Sequence, residues 1–275
     1  MIEVRNLSFH YPKCNENVLT DVSFTVHKGE WLTIIGKNGS GKSTLIKILN
    51  GLLLPTSGRI IVEGLEVTNE NLQDIRKRIG MVFQNPENQF VGMTVFDDLA
   101  FGMENFQIPK EEMLRRINWV LEAMDICDLK YKAPQDLSGG QKQHIAVAGI
   151  LTMRPAIIVL DEATSMLDPK GKENFIHLLK KLNKDYKITI VSVTHELSEL
   201  EFSDRTLAIE NGAIVSLASS KHILGNRALR AKYKLGDTFM DRFYDALIEQ
   251  QFPISSSDSS ASQLVEDICQ LFLKK

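Results

Sequence analysis

The sequence predicts an α/β fold in which helices cover both faces of a parallel sheet. Short apolar strands near residues 157–160 and 188–193 alternate with segments of helical periodicity, such as 42–50 and 169–184. Strands that are apolar throughout are typical of a parallel sheet between helices, because neither face meets water. The length of 275 residues suits one large domain with an appendage, since single cores stop growing near ~250–300 residues.

The first sixty residues are predicted to be mainly strands. Alternating apolar side chains indicate strands at residues 2–9, 18–26, 31–35 and 58–62. Between the last two of these, the spacing of apolar residues indicates a helix over 42–50, which Gly51 and Pro55 end. This part of the chain therefore contains a unit of strand, glycine-rich loop and helix.

The middle of the chain is predicted to be a helical insertion, from about residue 91 to 149. Apolar stripes indicate helices over 95–101 and 110–124. The α/β rhythm returns at residue 157. The predicted elements are strands at 157–160, 188–193, 206–209 and 213–215, a helix over 169–184 and a short helix after residue 193.

A mostly helical tail is predicted from about residue 220. Its first helix, over 236–251, carries Phe239, Met240, Phe243 and Leu247 on one stripe. A polar linker follows at 253–262, and residues 263–275 place a second set of apolar side chains on one face. That second set is Leu264, Ile268, Leu271 and Phe272.

Composition excludes several classes of protein. The net charge of −3 offers no basic excess for binding nucleic acid. The hydrophobic share of 43% and charged share of 24% are those of a globular protein rather than a disordered one. The three cysteines are far apart, which favours neither a disulfide framework nor a zinc site and fits a reducing cytosol. We expect no secretory signal and no membrane span, so any link to a membrane would go through a partner.

Residues 36–43 match the phosphate-loop pattern G-x-x-x-x-G-K-[ST] between a predicted strand and a predicted helix. The alternative is a glycine-rich turn at a helix start. In the functional interpretation, backbone N–H groups surround phosphate oxygens, Lys42 holds the β- and γ-phosphates, and Ser43 ligates Mg²⁺. The pattern predicts nucleoside triphosphate binding by Gly36, Lys37, Asn38, Gly39, Ser40, Gly41, Lys42 and Ser43.

Two carboxylates follow the apolar strand at 157–160. Asp161 and Glu162 should lie at the carboxyl edge of the sheet, where open α/β folds bind ligands. There Asp161 is placed for a Mg²⁺ shell and Glu162 for polarising an attacking water. The alternative is an acidic helix cap after a buried strand.

The run Leu137-Ser138-Gly139-Gly140-Gln141 begins another predicted helix. Ser138 and Gln141 have the spacing of a capping box, which is the structural alternative. The same geometry exposes unblocked N–H donors to an anion. The chain would then have two helix N-termini that can bind phosphate.

Together these motifs resemble an ABC-transporter ATPase over about residues 1–220. The resemblance rests on the phosphate loop, Gln84, the run at 137–141, the strand ending at Glu162, residues 165–168 and His195, in the family's order and spacing. It implies a P-loop NTPase fold with an antiparallel β subdomain, a helical subdomain at about 85–155 and a small helical C-terminal extension at 221–275. It also implies ATP and Mg²⁺ as cofactors, and a head-to-tail dimer in which the 137–141 run of one subunit closes over ATP held by the other.

Further roles are implied by matching positions. Gln84 resembles the residue that links Mg²⁺ and water to the helical subdomain, and His195 the switch histidine at the γ-phosphate. Asp168 resembles the aspartate that crosses the dimer interface, with capping of the following helix as the alternative. Tyr11 resembles the aromatic residue that stacks on adenine, with Phe9 as its rival. Thr44, next to the phosphate loop, joins the ATP-binding set.

Two positions depart from the family's usual residues. Met166 stands where Ala is usual, and His144 where Arg is usual. Neither position performs chemistry, so hydrolysis is not in doubt. Interface packing and charge beside the phosphates are expected to be weaker.

A narrower resemblance, at residues 85–95 and 97–102, is to ATPases of energy-coupling factor transporters. The tail resembles that group's C-terminal dimerisation extension. The implied function is to power import of vitamins or transition-metal ions at the cytoplasmic face of the cell membrane. Implied partners are a second, related ATPase subunit, a transmembrane coupling protein and a separate substrate-binding membrane protein. Some of Phe90, Val91, Met93 and Phe96 are expected to line a groove for the coupling protein rather than the core.

Two alternatives remain at this point. A conventional ABC importer or exporter ATPase would share everything up to residue 220. A soluble ABC protein acting on nucleic acid is disfavoured, because there is no long coiled coil, no second phosphate loop and no basic excess.

Overall fold

The computed structural model describes residues 1–12, 14 and 16–250. The predicted linker at 253–262 and the helix at 263–275 lie outside that range. Within it, none of the helices has the length and apolar character needed to cross a membrane.

The strands and helices follow one another in the order that the periodicity predicts, with a few additions. The strands are β1 (Ile2–Phe9), β2 (Leu19–Val26), β3 (Trp31–Ile35), β4 (Ser57–Val62), β5 (Leu65–Glu66), β6 (Ile79–Val82), β7 (Ile157–Asp161), β8 (Thr189–Val193), β9 (Arg205–Glu210) and β10 (Ala213–Ser219). The helices are α1 (Lys42–Leu49), α2 (Leu72–Arg78), α3 (Val95–Asn105), α4 (Lys110–Ala123), α5 (Gly139–Leu151), α6 (Pro169–Lys184), α7 (Leu197–Leu200), α8 (Ser220–Leu224), α9 (Arg227–Tyr233) and α10 (Phe239–Glu249).

Two sheets organise the chain. The first has the order β2-β1-β4-β5, and its neighbouring strands are antiparallel. The second has the order β10-β9-β3-β8-β7-β6. Its pairs from β9 to β6 are parallel, and β10 is antiparallel to β9. The predicted parallel sheet is confirmed, and so is the predicted α/β class.

The larger sheet separates two parts of the core, and strand β7 shows how. Ile158 and Leu160 pack with the helical insertion, α5 and α6. Ile157 and Val159 point the other way, towards α1 and the antiparallel sheet. Successive strand residues face opposite sides, so an all-apolar strand is what a sheet covered on both faces requires.

The helical insertion lies between β6 and β7 and contains α3, α4 and α5. The stripe predicted on the second of these helices is confirmed, since Ile117, Val120 and Leu121 are buried in it. Helix α2 is an addition to the predicted elements. Ile75 is its one buried residue, so a helix of seven residues gives only a weak apolar signal.

The tail packs on the end of the sheet through α8 and α9, where Ile223, Tyr233 and Leu235 form a small cluster with Leu200. Helix α10 is oriented differently from what its apolar stripe suggests. Its buried residues are Asp241 and Tyr244, while Phe239 of the stripe is 70% exposed and Phe243 is exposed as well. The helix is therefore held through Asp241 and Tyr244 rather than through Phe239 and Phe243.

Candidate functional site

The phosphate loop joins β3 to α1 and is closed by its own lysine. Lys42, at the start of α1, donates hydrogen bonds from Nζ to the backbone oxygens of Gly36 (2.8 Å) and Lys37 (3.2 Å). Burial lowers the pKa of Lys42, and the charges of Glu162 and Asp161 oppose that change. The loop is thus ordered around a buried ammonium group, with the N-terminal end of α1 beside it.

Glycine is required at two points of this loop because neighbouring strands press against it. A Cβ on Gly36 would lie 2.2 Å from the backbone oxygen of Ile209 in β9. Gly41 has a φ of +103°, and a Cβ there would lie 2.7 Å from a side-chain carbon of Leu19. The pattern of glycines thus reflects both backbone conformation and close approach.

A second part of the site lies where β7 ends. Ser43 donates a hydrogen bond from Oγ to Oδ1 of Asp161 over 3.0 Å. Burial raises the pKa of Asp161, and the hydrogen bond from Ser43 opposes that change. A hydroxyl and a carboxylate are hard oxygen donors that suit Mg²⁺. Within the described residues, no cluster of three His, Cys, Asp or Glu side chains is suited to a metal ion.

Glu162 lies between an amide and an imidazole. Gln84, just after β6, donates from Nε2 to Oε2 of Glu162 over 3.2 Å. Nε2 of His195, just after β8, is 3.6 Å from Oε1. The backbone of Glu162 has a φ of +49°, an uncommon conformation that is often found at functional sites. The ends of three parallel strands thus bring together the residues that the sequence placed at this edge.

His195 is prepared to act as a neutral group. Burial lowers its pKa, and the nearby charge of Lys42 adds to that change. Its Nε2 is buried and has no hydrogen-bond partner in the part of the chain that the structure describes. An imidazole nitrogen in that state can donate to an anion that enters the site.

Of these groups, Lys42, Ser43, Gln84 and Glu162 line a common cavity of about 430 Å³. Sequence reasoning did not assign Val18, which precedes β2 and lines the cavity, or Ser165, whose Oγ is 3.3 Å from Nε2 of Gln84. Val18 carries no polar group that would mark it as part of a binding site. Ser165 enters the sequence prediction only as part of the motif at 165–168. The lining residues are Val18, Asn38, Gly39, Gly41, Lys42, Ser43, Thr44, Gln84 and Glu162.

The two aromatic candidates for adenine lie in different surroundings. The Tyr11 hydroxyl is 3.1 Å from Oγ1 of Thr44, next to the phosphate loop. Phe9 is buried in the core, with its ring 5.0 Å from that of Tyr11 in an edge-on arrangement. Tyr11 therefore has the better access to a ligand in the loop.

The run at 137–141 forms a second, separate surface. Ser138 and Gln141 make the predicted capping box, with Gln141 N 3.3 Å from Ser138 Oγ and Ser138 N 2.9 Å from Gln141 Oε1. Asp168 caps α6 by accepting from Gly171 N over 3.2 Å. A cavity of about 420 Å³ lies here and shares none of its lining with the cavity at Lys42. It is lined by Ser138, Gly139, Gly140, Gln141, His144, Met166, Leu167, Asp168, Lys170, Gly171 and Asn174.

A phosphate cradle beside a carboxylate at the carboxyl ends of parallel strands defines a P-loop nucleoside triphosphatase. The family model described as "ABC transporter" matches residues 19–165. The energy-coupling factor transporter ATP-binding protein EcfA1 of Streptococcus pneumoniae serotype 2 is 44% identical over 98% of each chain. The protein of that name from Streptococcus pyogenes serotype M5 is 45% identical over 100% of this chain and 99% of its own. This chain belongs to the ABC transporter family and binds and hydrolyses ATP.

Solved structures agree with this assignment. The cbiO1 protein of Clostridium perfringens, part of the ABC transporter complex cbiONQ, superposes with a TM-score of 0.78 at 31% identity, over 90% of this chain and 98% of its own. The ATP-binding cassette MJ0796, as a dimer in a post-hydrolysis state with ADP and phosphate, has a TM-score of 0.71 at 29% identity, over 80% of this chain and 99% of its own. The match to cbiO1 extends further along this chain than the match to MJ0796.

Proposed function

We propose that this chain powers substrate import as one of two ATPase subunits of an energy-coupling factor transporter. The observation that carries the proposal is the position of Glu162, whose carboxylate lies between Gln84 and His195 at the phosphate cavity. The similarity to energy-coupling factor proteins extends over nearly the full chain, including the tail. It favours this class over a conventional ABC transporter.

ATP would bind with its phosphates in the loop at 36–43. The backbone N–H groups and the ammonium of Lys42 supply positive charge there. Ser43, Asp161 and Gln84 would hold Mg²⁺, which when bound neutralises charge on the β- and γ-phosphates. Tyr11 would stack on adenine.

Hydrolysis would use Glu162 as the general base. Its carboxylate takes a proton from water as the water oxygen attacks the γ-phosphorus, and the bond from that phosphorus to the ADP oxygen breaks. Gln84 orients the carboxylate and the water. Neutral His195 donates a hydrogen bond to a γ-phosphate oxygen, which its unpartnered Nε2 allows.

A complete ATP site would need two subunits. The cavity at Ser138–Gln141 does not share residues with the cavity at Lys42, which supports a role for each surface at a different ATP molecule. We infer a head-to-tail dimer in which Ser138, Gly139, Gly140 and Gln141, with Asp168, close over ATP held by a related, non-identical chain. The tail at 221–275 would add to that dimer.

A groove beside Gln84 would receive the transmembrane coupling protein. It has a volume of about 620 Å³ and is lined by Phe90, Val91 and Met93 together with Glu87 and Lys142. Val91 is 64% exposed and Met93 is 87% exposed, whereas Phe96 packs against the core. Exposed apolar side chains in a groove are typical of a docking surface.

The assembled transporter would hold this chain at the cytoplasmic face of the membrane. A separate membrane protein would choose the substrate, which we expect to be a vitamin or a related micronutrient. Gentle detergent extraction of the tagged chain from its native membrane tests the assignment. Recovery of a coupling protein, a second ATPase and a small substrate-binding membrane protein supports it, and recovery of an ordinary permease pair overturns it.

The role of Glu162 is tested by Glu162→Gln. We expect turnover to fall at least ~100-fold, as for loss of a general base. ATP binding should persist and the closed dimer should accumulate, because hydrolysis no longer opens it. Glu201→Gln, at an exposed site, is the matched control. Undiminished hydrolysis by Glu162→Gln would remove that residue from the reaction.

A further inference from the structure

Glu199 is a buried carboxyl group next to the site, and it has no part in the function proposed above. It lies in α7 and is 2% exposed. Thr164 donates a hydrogen bond from Oγ1 to Oε1 of Glu199 over 2.7 Å. The hydroxyls of Thr194 and Ser192 lie close enough to this carboxyl group to oppose the rise in its pKa. Three hydroxyl groups from two chain segments therefore meet at one side chain.

The positions of these hydroxyls connect Glu199 to both groups that flank the attacking water. Thr164 is two residues after Glu162, and Thr194 immediately precedes His195. The third hydroxyl, on Ser192, accepts a hydrogen bond from Nε1 of Trp31 over 3.0 Å, which fixes the network to the sheet. A shift of either segment would change the 3.6 Å separation of Glu162 and His195.

Burying a carboxyl group at this place costs desolvation free energy, which packing alone does not explain. Burial raises the pKa of Glu199 to about 7, and the three hydroxyls oppose that change. The charge of Glu196 on the same loop adds to it. An apolar side chain would fill the space without a desolvation cost, so the polar group is better explained by the segments that it joins.

We propose that Glu199 is a positioning residue for ATP hydrolysis, which holds the segments carrying Glu162 and His195 in register. The inference rests on the proposed roles of those two residues. Glu199 does not touch ATP; it acts by fixing Thr164 and Thr194. Hydroxyl groups on β-branched side chains suit this purpose, since their χ1 angles are restricted.

A second contact joins helix α6 to the segment that carries His195. Nζ of Lys172 in α6 is 2.5 Å from Oε1 of Glu196, the residue after His195. Helix α6 begins directly after Asp168, which we assign to the contact with the second subunit. Formation of the dimer would therefore act on the segment that Glu199 ties to His195.

The test removes one hydroxyl at a time, which separates an effect on the position of Glu162 and His195 from an effect on the stability of the fold. Thr164→Val keeps the side-chain shape and removes the donor, and Thr164→Ser keeps the donor. We expect Thr164→Val to lower kcat about tenfold, since small displacements of reacting groups are costly in rate. KM for ATP should stay within about twofold, because ground-state binding is unchanged. Thr164→Ser should recover most of the rate.

Three further variants keep the test independent of folding. Thr194→Val should likewise lower kcat and leave KM for ATP nearly unchanged. The effects of Thr164→Val and Glu199→Gln on kcat should not be additive in the double variant. Ser203→Ala is the control, since Ser203 is a buried hydroxyl that bonds to Ser220 and the Leu200 oxygen, outside the network. It should lower the melting temperature and leave kcat unchanged.

The outcomes distinguish this inference from the proposed function. Wild-type kcat for both Thr→Val variants, with turnover lost in Glu162→Gln, overturns the role of Glu199 alone. A fall in kcat in Ser203→Ala as large as that in the Thr→Val variants does the same, because the fall then reports stability. Full turnover in Glu162→Gln overturns the proposed function, and the inference about Glu199 with it.

Discussion

Nζ of Lys142 lies 2.5 Å from Oε1 of Glu87. This ion pair joins helix α5, which begins at the Ser138 cap, to the segment that follows Gln84. Its hydrogen bond and charge lower the pKa of Glu87, and both side chains line the groove that we assign to the coupling protein. The pair therefore connects the groove that we propose for the membrane partner with the surface that we propose to close over the second subunit's ATP.

Removing this pair should reduce coupling more than hydrolysis. In reconstituted vesicles, Lys142→Ala is expected to lower the substrate imported per ATP hydrolysed, since the partner's movement no longer reaches α5. The Glu87 side chain is 63% exposed, and ion pairs open to solvent contribute little to folding, so the melting temperature should change little. Glu87→Lys combined with Lys142→Glu should recover import. Equal import by this reversed pair and by the single variants would show that the pair has no role in coupling.

Magnesium dependence provides a second test, centred on Asp161. Asp161→Asn removes the charge next to Ser43, and we expect turnover to fall at least ~100-fold, because charge on the phosphates is no longer neutralised. Chelation of the metal should have the same effect on the unmodified protein. ATP binding without metal, measured by calorimetry, should be retained in both cases.

The pH dependence of metal binding follows from the raised pKa of Asp161. Mg²⁺ binds the ionised carboxylate, so the Mg²⁺ concentration for half-maximal activity should rise as the pH falls. Asp185→Asn, which changes an exposed carboxyl group, is the control. A metal requirement that is the same in Asp161→Asn and in the unmodified protein would exclude Asp161 from the metal site.

The sequence predicted those elements whose signals are local. The sequence predicts helix α6 over 169–184, and the structure has it at Pro169–Lys184. The prediction is accurate because an Asp cap and a following Pro mark the start of the helix. The sequence also predicts the phosphate loop and the acidic end of β7, because both features depend on residues that are adjacent in the chain.

Features that depend on tertiary contact were not predictable in this way. Three glutamates, Glu196, Glu199 and Glu201, lie within six residues, and no local pattern marks the middle one as buried. Likewise, the apolar stripe of α10 is exposed at Phe239, because the helix docks through Asp241 and Tyr244. Which face of a marginally apolar helix is covered depends on the partner side chains that the fold supplies.

That docking leads to a prediction about the tail. Nη2 of Arg230 is 2.5 Å from Oδ2 of Asp241, and both side chains are largely buried. Asp241→Ala leaves the guanidinium without its partner, a change that typically costs about 3–5 kcal/mol. We expect faster hydrogen exchange throughout α9 and α10, measured by mass spectrometry. Asp237→Ala, at an exposed pair with Arg227, should have a much smaller effect. Unchanged protection in Asp241→Ala would mean that apolar contacts hold the tail.

The last prediction concerns stability and the pKa of Glu199, which burial raises from the ordinary 4.5 to about 7. Between these values the folded protein binds this proton more tightly than the unfolded chain does. Stability from this group is therefore present below about pH 4.5 and is lost as the pH rises towards 7. The loss corresponds to about 3 kcal/mol.

Glu199→Gln removes this titration. In urea unfolding at pH 5, 6, 7 and 8, the Gln variant should gain stability relative to the unmodified protein as the pH rises. Thr164→Val removes a donor that favours the ionised form, so it should move the same window to higher pH. A difference between Glu199→Gln and the unmodified protein that is constant from pH 5 to 8 would contradict a raised pKa. In that case the three hydroxyls already stabilise the ionised form enough to offset burial, and Glu199 joins the two segments as a permanent anion.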